Sequence, residues 1–159
     1  LFPLHTVAGE RRMIGDVLLE CELGPGVARE LAGFENHAGR THLDAGATPL
    51  GRVLAGFGND GESGYEGCRL GRAIGTYLHG PLLPRNPWLA DWLLGQALAP
   101  RGEEPGPEPP QLQPLGDELE ASAHQVSARR ARERGGRSLI RVAHGLPLPR
   151  LSRRRRGEN

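Results

Sequence analysis

Met13-Ile14-Gly15-Asp16-Val17-Leu18-Leu19-Glu20 is dense in the β-branched and aliphatic side chains that fit a pleated surface, so a strand is expected over residues 12–22. Gly24-Pro25-Gly26 then turns the chain. Further strands are expected at 30–35, 51–57 and 73–78, each bounded by Gly or by Asn59-Asp60-Gly61. The segments between them are too short for helical crossovers, so neighbouring strands should run antiparallel. The first helix is expected at 86–99, with Asn86 as its cap, Pro87 at the tolerated first position, and Leu89, Trp92, Leu93, Gln96 and Ala97 at helical spacing. It should lie on the sheet. Residues 100–114 hold six prolines and read as a linker. A helix rich in Ala, Glu and Arg is expected within 115–135, spanning about 117–134, and 136–159 reads as a disordered, Arg-rich tail. Residues 1–99 therefore form the folded body, and no internal repeat is visible.

The chain of 159 residues is one domain's worth. Gly (24) and Pro (14) are abundant enough that part of it should be loop. The longest apolar stretch, 88–99, is broken by Asp91, Gly95 and Gln96, so no membrane span is expected. Two cysteines build no disulfide framework and no signal segment is visible, which favours a cytoplasmic setting. The first residue is Leu1 rather than Met, and an N-terminal part is expected to precede it. Charge divides the chain sharply. Residues 1–128 carry 9 Arg against 17 acids, a net of −8, whereas 129–159 carry 11 Arg against 2 Glu, a net of +9. The run Arg153-Arg154-Arg155-Arg156 could bind a polyanion by displacing counterions, but no aromatic residue follows Trp92 to stack on bases. A solvated tail is the favoured reading, and nucleic acid is not an expected partner.

Chemistry concentrates in two motifs. Gly33-Phe34-Glu35-Asn36-His37-Ala38-Gly39-Arg40-Thr41 packs an acid, an amide, an imidazole and a guanidinium into nine residues, either as a binding loop or as a self-satisfying cluster that caps turns. Gly75-Thr76-Tyr77-Leu78-His79-Gly80-Pro81 places His79 at the end of an apolar strand, a seat suited to a general base or to a structural hydrogen bond. Cys68 lacks the glycine spacing of a nucleophile elbow, and Cys21 is flanked by Glu20 and Glu22, which would raise its thiol pKa. Both read as packing residues, leaving the chain without a nucleophile. His37 with His42 makes at most half a metal site, so no metal is expected. Gly56-Phe57-Gly58-Asn59-Asp60-Gly61 resembles a phosphate loop in composition only, and the chain has no Lys to serve a Walker motif.

Taken in order, Arg12-Met13-Ile14-Gly15-Asp16, the 33–41 motif, Gly56-Phe57-Gly58-Asn59-Asp60 and the stretch from Gly75 to Asn86 resemble the CobB/CobQ-like class I glutamine amidotransferases, most of all the branch that amidates lipid II. The likeness spans 1–99 closely and 111–135 more loosely. It implies an α/β fold: the C-terminal half of a class I amidotransferase domain, flavodoxin-like and three-layered, with a helical, Arg-rich extension. It also implies that His79 is the catalytic histidine, that Arg12 binds the substrate glutamine, and that the nucleophilic cysteine lies outside this chain, which alone should be inactive. Where many relatives carry Glu two residues after the histidine, this chain has Pro81, so no third catalytic residue is assigned. The implied partner is a Mur-ligase-like subunit, MurT, which would use ATP and Mg and carry lipid II; no cofactor is implied for this subunit. The alternatives are the amidotransferase part of a cobyrinic or cobyric acid synthase, and a non-catalytic module that binds polyanions through its Arg tail.

Overall fold

A computed structural model describes residues 2–24, 26–99, 113 and 115–142, with the backbone alone for 136–142. The linker, apart from residue 113, and the tail beyond 142 expected from the sequence lie outside the described residues. Two long strands, β1 (Leu4–Glu22) and β2 (Ala28–Leu43), form an antiparallel hairpin paired from Leu4↔Leu43 to Glu22↔Ala28. β3 (Gly51–Ala55) joins β1 on its other side, and the two-residue β4 (Tyr65–Glu66) pairs with β3, giving the order β2-β1-β3-β4. β5 (Cys68–Leu70) and β6 (Ala73–Gly75) make a separate two-stranded ribbon. Every pairing is antiparallel. A short helix α1 (Leu82–Arg85), α2 (Pro87–Leu98) and α3 (Glu118–Val142) complete the chain.

Both faces of the hairpin are covered, which explains the unbroken apolar run Val17-Leu18-Leu19. Val17, Leu19, Cys21, Leu31 and Leu78 pack with Leu89 of α2, and Trp88, Trp92 and Leu93 close over them. Leu18, Ala32 and Ala55 on the other face pack against Ala128 and Ala131 of α3. Strand residues of alternating parity thus meet different helices.

Three expectations are corrected. α3 does not stop near Arg134 but continues through Gly135 to Val142. Gly135 is a contact glycine rather than a terminator: a Cβ there would sit 2.8 Å from Cβ of Ala55, so the helix needs a bare backbone to approach β3. Asn86 stands at the start of α2 but makes no side-chain cap; its amide turns into β2, donating to the Ala32 carbonyl at 2.8 Å and accepting from the Ala32 N–H at 2.9 Å. The last expected strand ends at Gly75 rather than at Leu78, because the chain leaves the ribbon there to run beside β2. β1 and β2 also extend well past their apolar runs, held by pairing with each other.

Ala131 is fully buried where α3 meets the sheet, whereas Leu119 on the same helix is exposed. Overpacking a filled interface costs about 1–3 kcal/mol. Ala131→Leu is therefore expected to lower stability in urea unfolding by that amount, with Leu119→Ala staying within about 0.5 kcal/mol of wild type.

Candidate functional site

His79 is placed by main chain. Leu78 is buried against Gly33, where a Cβ would come within 2.8 Å of the Leu78 side chain, so glycine lets the segment lie close to β2. The His79 N–H then donates to the Phe34 carbonyl at 2.7 Å, an isolated bridge on the edge of β2 away from β1. The imidazole is exposed and its Nδ1 lies 2.5 Å from the Tyr77 carbonyl. A carbonyl only accepts, so Nδ1 carries the hydrogen and Nε2 keeps its lone pair open for a proton.

Arg12 comes from a break in the hairpin. Ala8 pairs with Gly39 and Met13 with His37, so Gly9, Glu10, Arg11 and Arg12 stand opposite Ala38 alone and bulge outward. Arg12 returns to the strand through Asn36, donating from Nε at 3.0 Å and from Nη2 at 2.8 Å to Oδ1, and from Nη2 to the Asn36 carbonyl at 3.1 Å. Its Nη1 has no partner among the described residues. Arg11, its neighbour, offers instead a carbonyl that accepts from Arg40 at 2.8 Å. Asn36 is two residues along β2 from Phe34, about 7 Å at strand rise, so one strand gauges the spacing of Arg12 and His79.

The residues between them turn the other way. Glu35 is fully buried, its Oε1 accepting from the Phe57 N–H at 2.7 Å and its Oε2 from Gly58 at 3.0 Å. Gly56 and Gly58 have φ of 109° and 70°, the left-handed region that aims successive N–H groups inward. The Gly-rich loop therefore cradles an anion, but the anion is the protein's own carboxylate. Burial pushes Glu35 up to about 7; the two N–H bonds oppose this and neighbouring Glu66 adds to it. His37 stacks on Tyr77 with ring centroids 3.7 Å apart and planes 3° from parallel, and burial lowers its pKa. The four polar residues of the motif therefore do not satisfy one another as one cluster: Asn36 serves Arg12, Arg40 binds carbonyls of Ala38, Gly39 and Arg11, and Glu35 and His37 face inward.

Glu66, which carries no obvious signal in the sequence, and Asn59 of the Gly-rich loop support this arrangement. Buried Glu66 accepts from the Thr76 hydroxyl at 2.5 Å and from the Tyr77 N–H at 2.7 Å. Asn59 brackets Gly67, accepting from its N–H at 2.8 Å and donating to its carbonyl at 3.1 Å. Both cysteines are buried and unbridged, and burial, then Glu66 and Glu20, push Cys21 up to about 12, which makes it a poor nucleophile. His42 lies 3.5 Å from Asp60 rather than beside His37, and no group of three metal-ligating residues occurs among the described residues. A cavity of about 280 Å³ between His42, Asp60 and Tyr65 is lined by neither Arg12 nor His79.

A family model for the CobB/CobQ-like glutamine amidotransferase domain matches residues 1–87. The chain is 36% identical over 131 residues to lipid II isoglutaminyl synthase (glutamine-hydrolyzing) subunit GatD of Staphylococcus aureus (strain N315), covering 82% of this chain and 49% of that protein. It is 42% identical over 87 residues to the subunit of the same name from Streptococcus pneumoniae (strain ATCC BAA-255 / R6), covering 55% of this chain and 32% of that one. The chain thus spans about half, or less, of the length of these relatives. No helix among the described residues is long and apolar enough to cross a membrane.

The buried Glu35 carboxyl gives a test of this geometry. Held above its ordinary value, it keeps in the folded protein a proton that the unfolded chain has lost between about pH 4.5 and about 7. Its contribution to stability is complete below that window and falls as pH rises through it. His37, held below 6.5, contributes oppositely, its share complete above 6.5 and lost as pH falls. Glu35→Gln removes the first effect, because an amide does not titrate in this range. Between about pH 4.5 and about pH 7.5, urea unfolding is expected to show the variant gaining on wild type by on the order of 1–3 kcal/mol; a constant gap would mean that Glu35 titrates normally.

Proposed function

Since the chain belongs to the CobB/CobQ-like glutamine amidotransferase domain family, we propose that it supplies the histidine and glutamine-binding half of a glutaminase that delivers ammonia for amidation of lipid II. The observation that carries this reading is the pairing of an imidazole whose Nδ1 is tied to the Tyr77 carbonyl with a guanidinium clasped by Asn36, both held on β2. In this reading Nε2 of His79 takes the proton of a cysteine thiol, and the thiolate attacks the glutamine side-chain amide. A thioester forms, the C–N bond breaks, and the leaving amine departs as ammonia with the proton returned by His79. Water then hydrolyses the thioester to glutamate. Arg12 meets the substrate α-carboxylate through its open Nη1 edge, a charge-assisted contact.

Burial and raised pKa values make Cys21 and Cys68 unsuited to the nucleophile's part, so the cysteine belongs to a segment outside this sequence, and the chain by itself is inactive. The whole domain is the flavodoxin-like, three-layered class I fold, in which these described strands form the antiparallel part. The ammonia passes in the cytoplasm to a Mur-ligase-like subunit, MurT, which activates the α-carboxyl of the stem D-glutamate with ATP and Mg. The kinship to the two isoglutaminyl synthase subunits supports that acceptor over a corrin.

The test uses the protein expressed from its native gene together with its partner, with ammonia release from glutamine as the readout. His79→Ala is expected to lower kcat by about 10²–10⁴-fold with KM little changed. Arg12→Ala is expected to raise KM for glutamine by about 10- to 100-fold, the worth of one charged hydrogen bond. Undiminished hydrolysis in His79→Ala would overturn the assignment.

A further inference from the structure

Glu35 and His37 are buried polar residues that the proposed reaction does not use. Nδ1 of His37 lies 3.0 Å from the Gly39 carbonyl and so must carry a hydrogen. In a neutral ring, Nε2 then presents a lone pair. This atom is buried with no hydrogen-bond partner among the described residues, and it faces Oε2 of Glu35 at 3.6 Å. A lone pair opposite an ionised carboxylate is repulsive, and both groups are sealed from water. One proton resolves the conflict, whether Oε2 donates to Nε2 or Nε2 to Oε2. A closure of about half an ångström brings the pair to hydrogen-bond distance.

The same imidazole touches the site through its ring. His37 stacks on Tyr77, and Tyr77 is gripped at two further points, its hydroxyl 2.8 Å from that of Thr41 and its N–H donating to Glu66. The Tyr77 carbonyl is the group that holds Nδ1 of His79. We propose that Glu35 and His37 hold one proton between them and act as positioning residues for His79, keeping Tyr77 in place so that His79 stays in the tautomer with Nε2 free. This rests on the reading of His79 as the base. The upward displacement of Glu35 and the downward displacement of His37 fit a proton that resides on the pair below neutral pH and leaves as pH rises past about 7. The charged and titratable groups facing the pair are Glu66 from β4, Arg40 from β2, and His79 and Tyr77 from the segment that follows β6.

The test labels the histidines with ¹⁵N and the carboxyls with ¹³C in the protein expressed from its native gene with its partner. In wild type, His79 is expected as the Nδ1-H tautomer, and His37 Nε2 and the Glu35 carboxyl are expected to titrate together. His37→Phe keeps the aromatic stack and the buried volume but cannot hold the proton, so it should fold, shift His79 towards mixed tautomers and lower kcat about ten-fold with KM within about two-fold. Glu35→Ala should do the same, and the double variant should lose little more than the worse single one, because both remove one shared proton. Unchanged His79 tautomer and kcat in His37→Phe, additive losses in the double variant, or a His37 that titrates while the Glu35 signal stays fixed would overturn the proposal. His79→Ala separates the two levels: full activity there sinks the base assignment, whereas its loss beside an unaffected His37→Phe sinks only the positioning role.

Discussion

A strand at the edge of a sheet presents a row of unpaired N–H and C=O groups that must find partners. β2 is such a strand, with β1 on one side only. Its open edge is satisfied by three groups in register: the Trp88 indole N–H on the Glu30 carbonyl at 3.1 Å, the Asn86 amide on both main-chain groups of Ala32, and the His79 N–H on the Phe34 carbonyl. The contacts fall at residues 30, 32 and 34, the spacing at which an edge strand turns its polar groups outward. Residues 79–88 thus do the work of a neighbouring strand without being one, and this anchors the histidine. The fully buried Asn86 is the centre of the device, since its amide also donates to Leu82 and accepts from His124 of α3.

Beneath this edge the core changes character along β2. Leu31 packs with Val17, Leu19 and Leu89, but Glu35 and His37 on the same face are polar. Buried carboxylates are costly unless hydrogen-bonded, and main chain supplies nearly all the bonds here: Phe57 and Gly58 for Glu35, Gly67 and Tyr77 for Glu66. Each carboxylate ties a loop to the strand or segment beside it. The polar part of the core therefore fixes loops that apolar packing could not orient, because hydrogen bonds are directional and hydrophobic contact is not.

Much of this was legible in the sequence where local chemistry and tertiary structure agree. The run from Met13 to Glu20, the turn after it and the Pro87-led helix all read correctly because propensity, period and burial point the same way. Residues 4–8 carry no comparable apolar run and are strand only because 39–43 pair with them. β4 and β5 are too short to leave a periodic signal. Gly135 reads as a stop in one dimension and is a point of contact in three. The two polar motifs stand out in the sequence, yet Asn36 and Glu35, adjacent in one of them, serve opposite faces, and Glu66 has no local feature that sets it apart from a solvated acid.

The opposed roles of Asn36 and Glu35 follow from the period of a strand. Leu31, Gly33, Glu35 and His37 look inward towards α2 and the Tyr77 segment, while Ala32 and its even-numbered companions look towards α3. A slip of one residue in the β1–β2 register would exchange the two sets, putting Glu35 where Asn36 receives Arg12 and a bare Asn36 into the core. The apolar pairs Val17↔Gly33 and Leu19↔Leu31 prevent that slip at one end of the hairpin. At the other end the four-residue excursion from Gly9 to Arg12 absorbs the mismatch that a regular ladder would carry towards the site. The bulge thus does two things at once: it protects the register that buries Glu35 and His37, and it lifts Arg12 out of the sheet while leaving it within reach of Asn36. Placement of the guanidinium and placement of the buried acid are consequences of the same irregularity in β1.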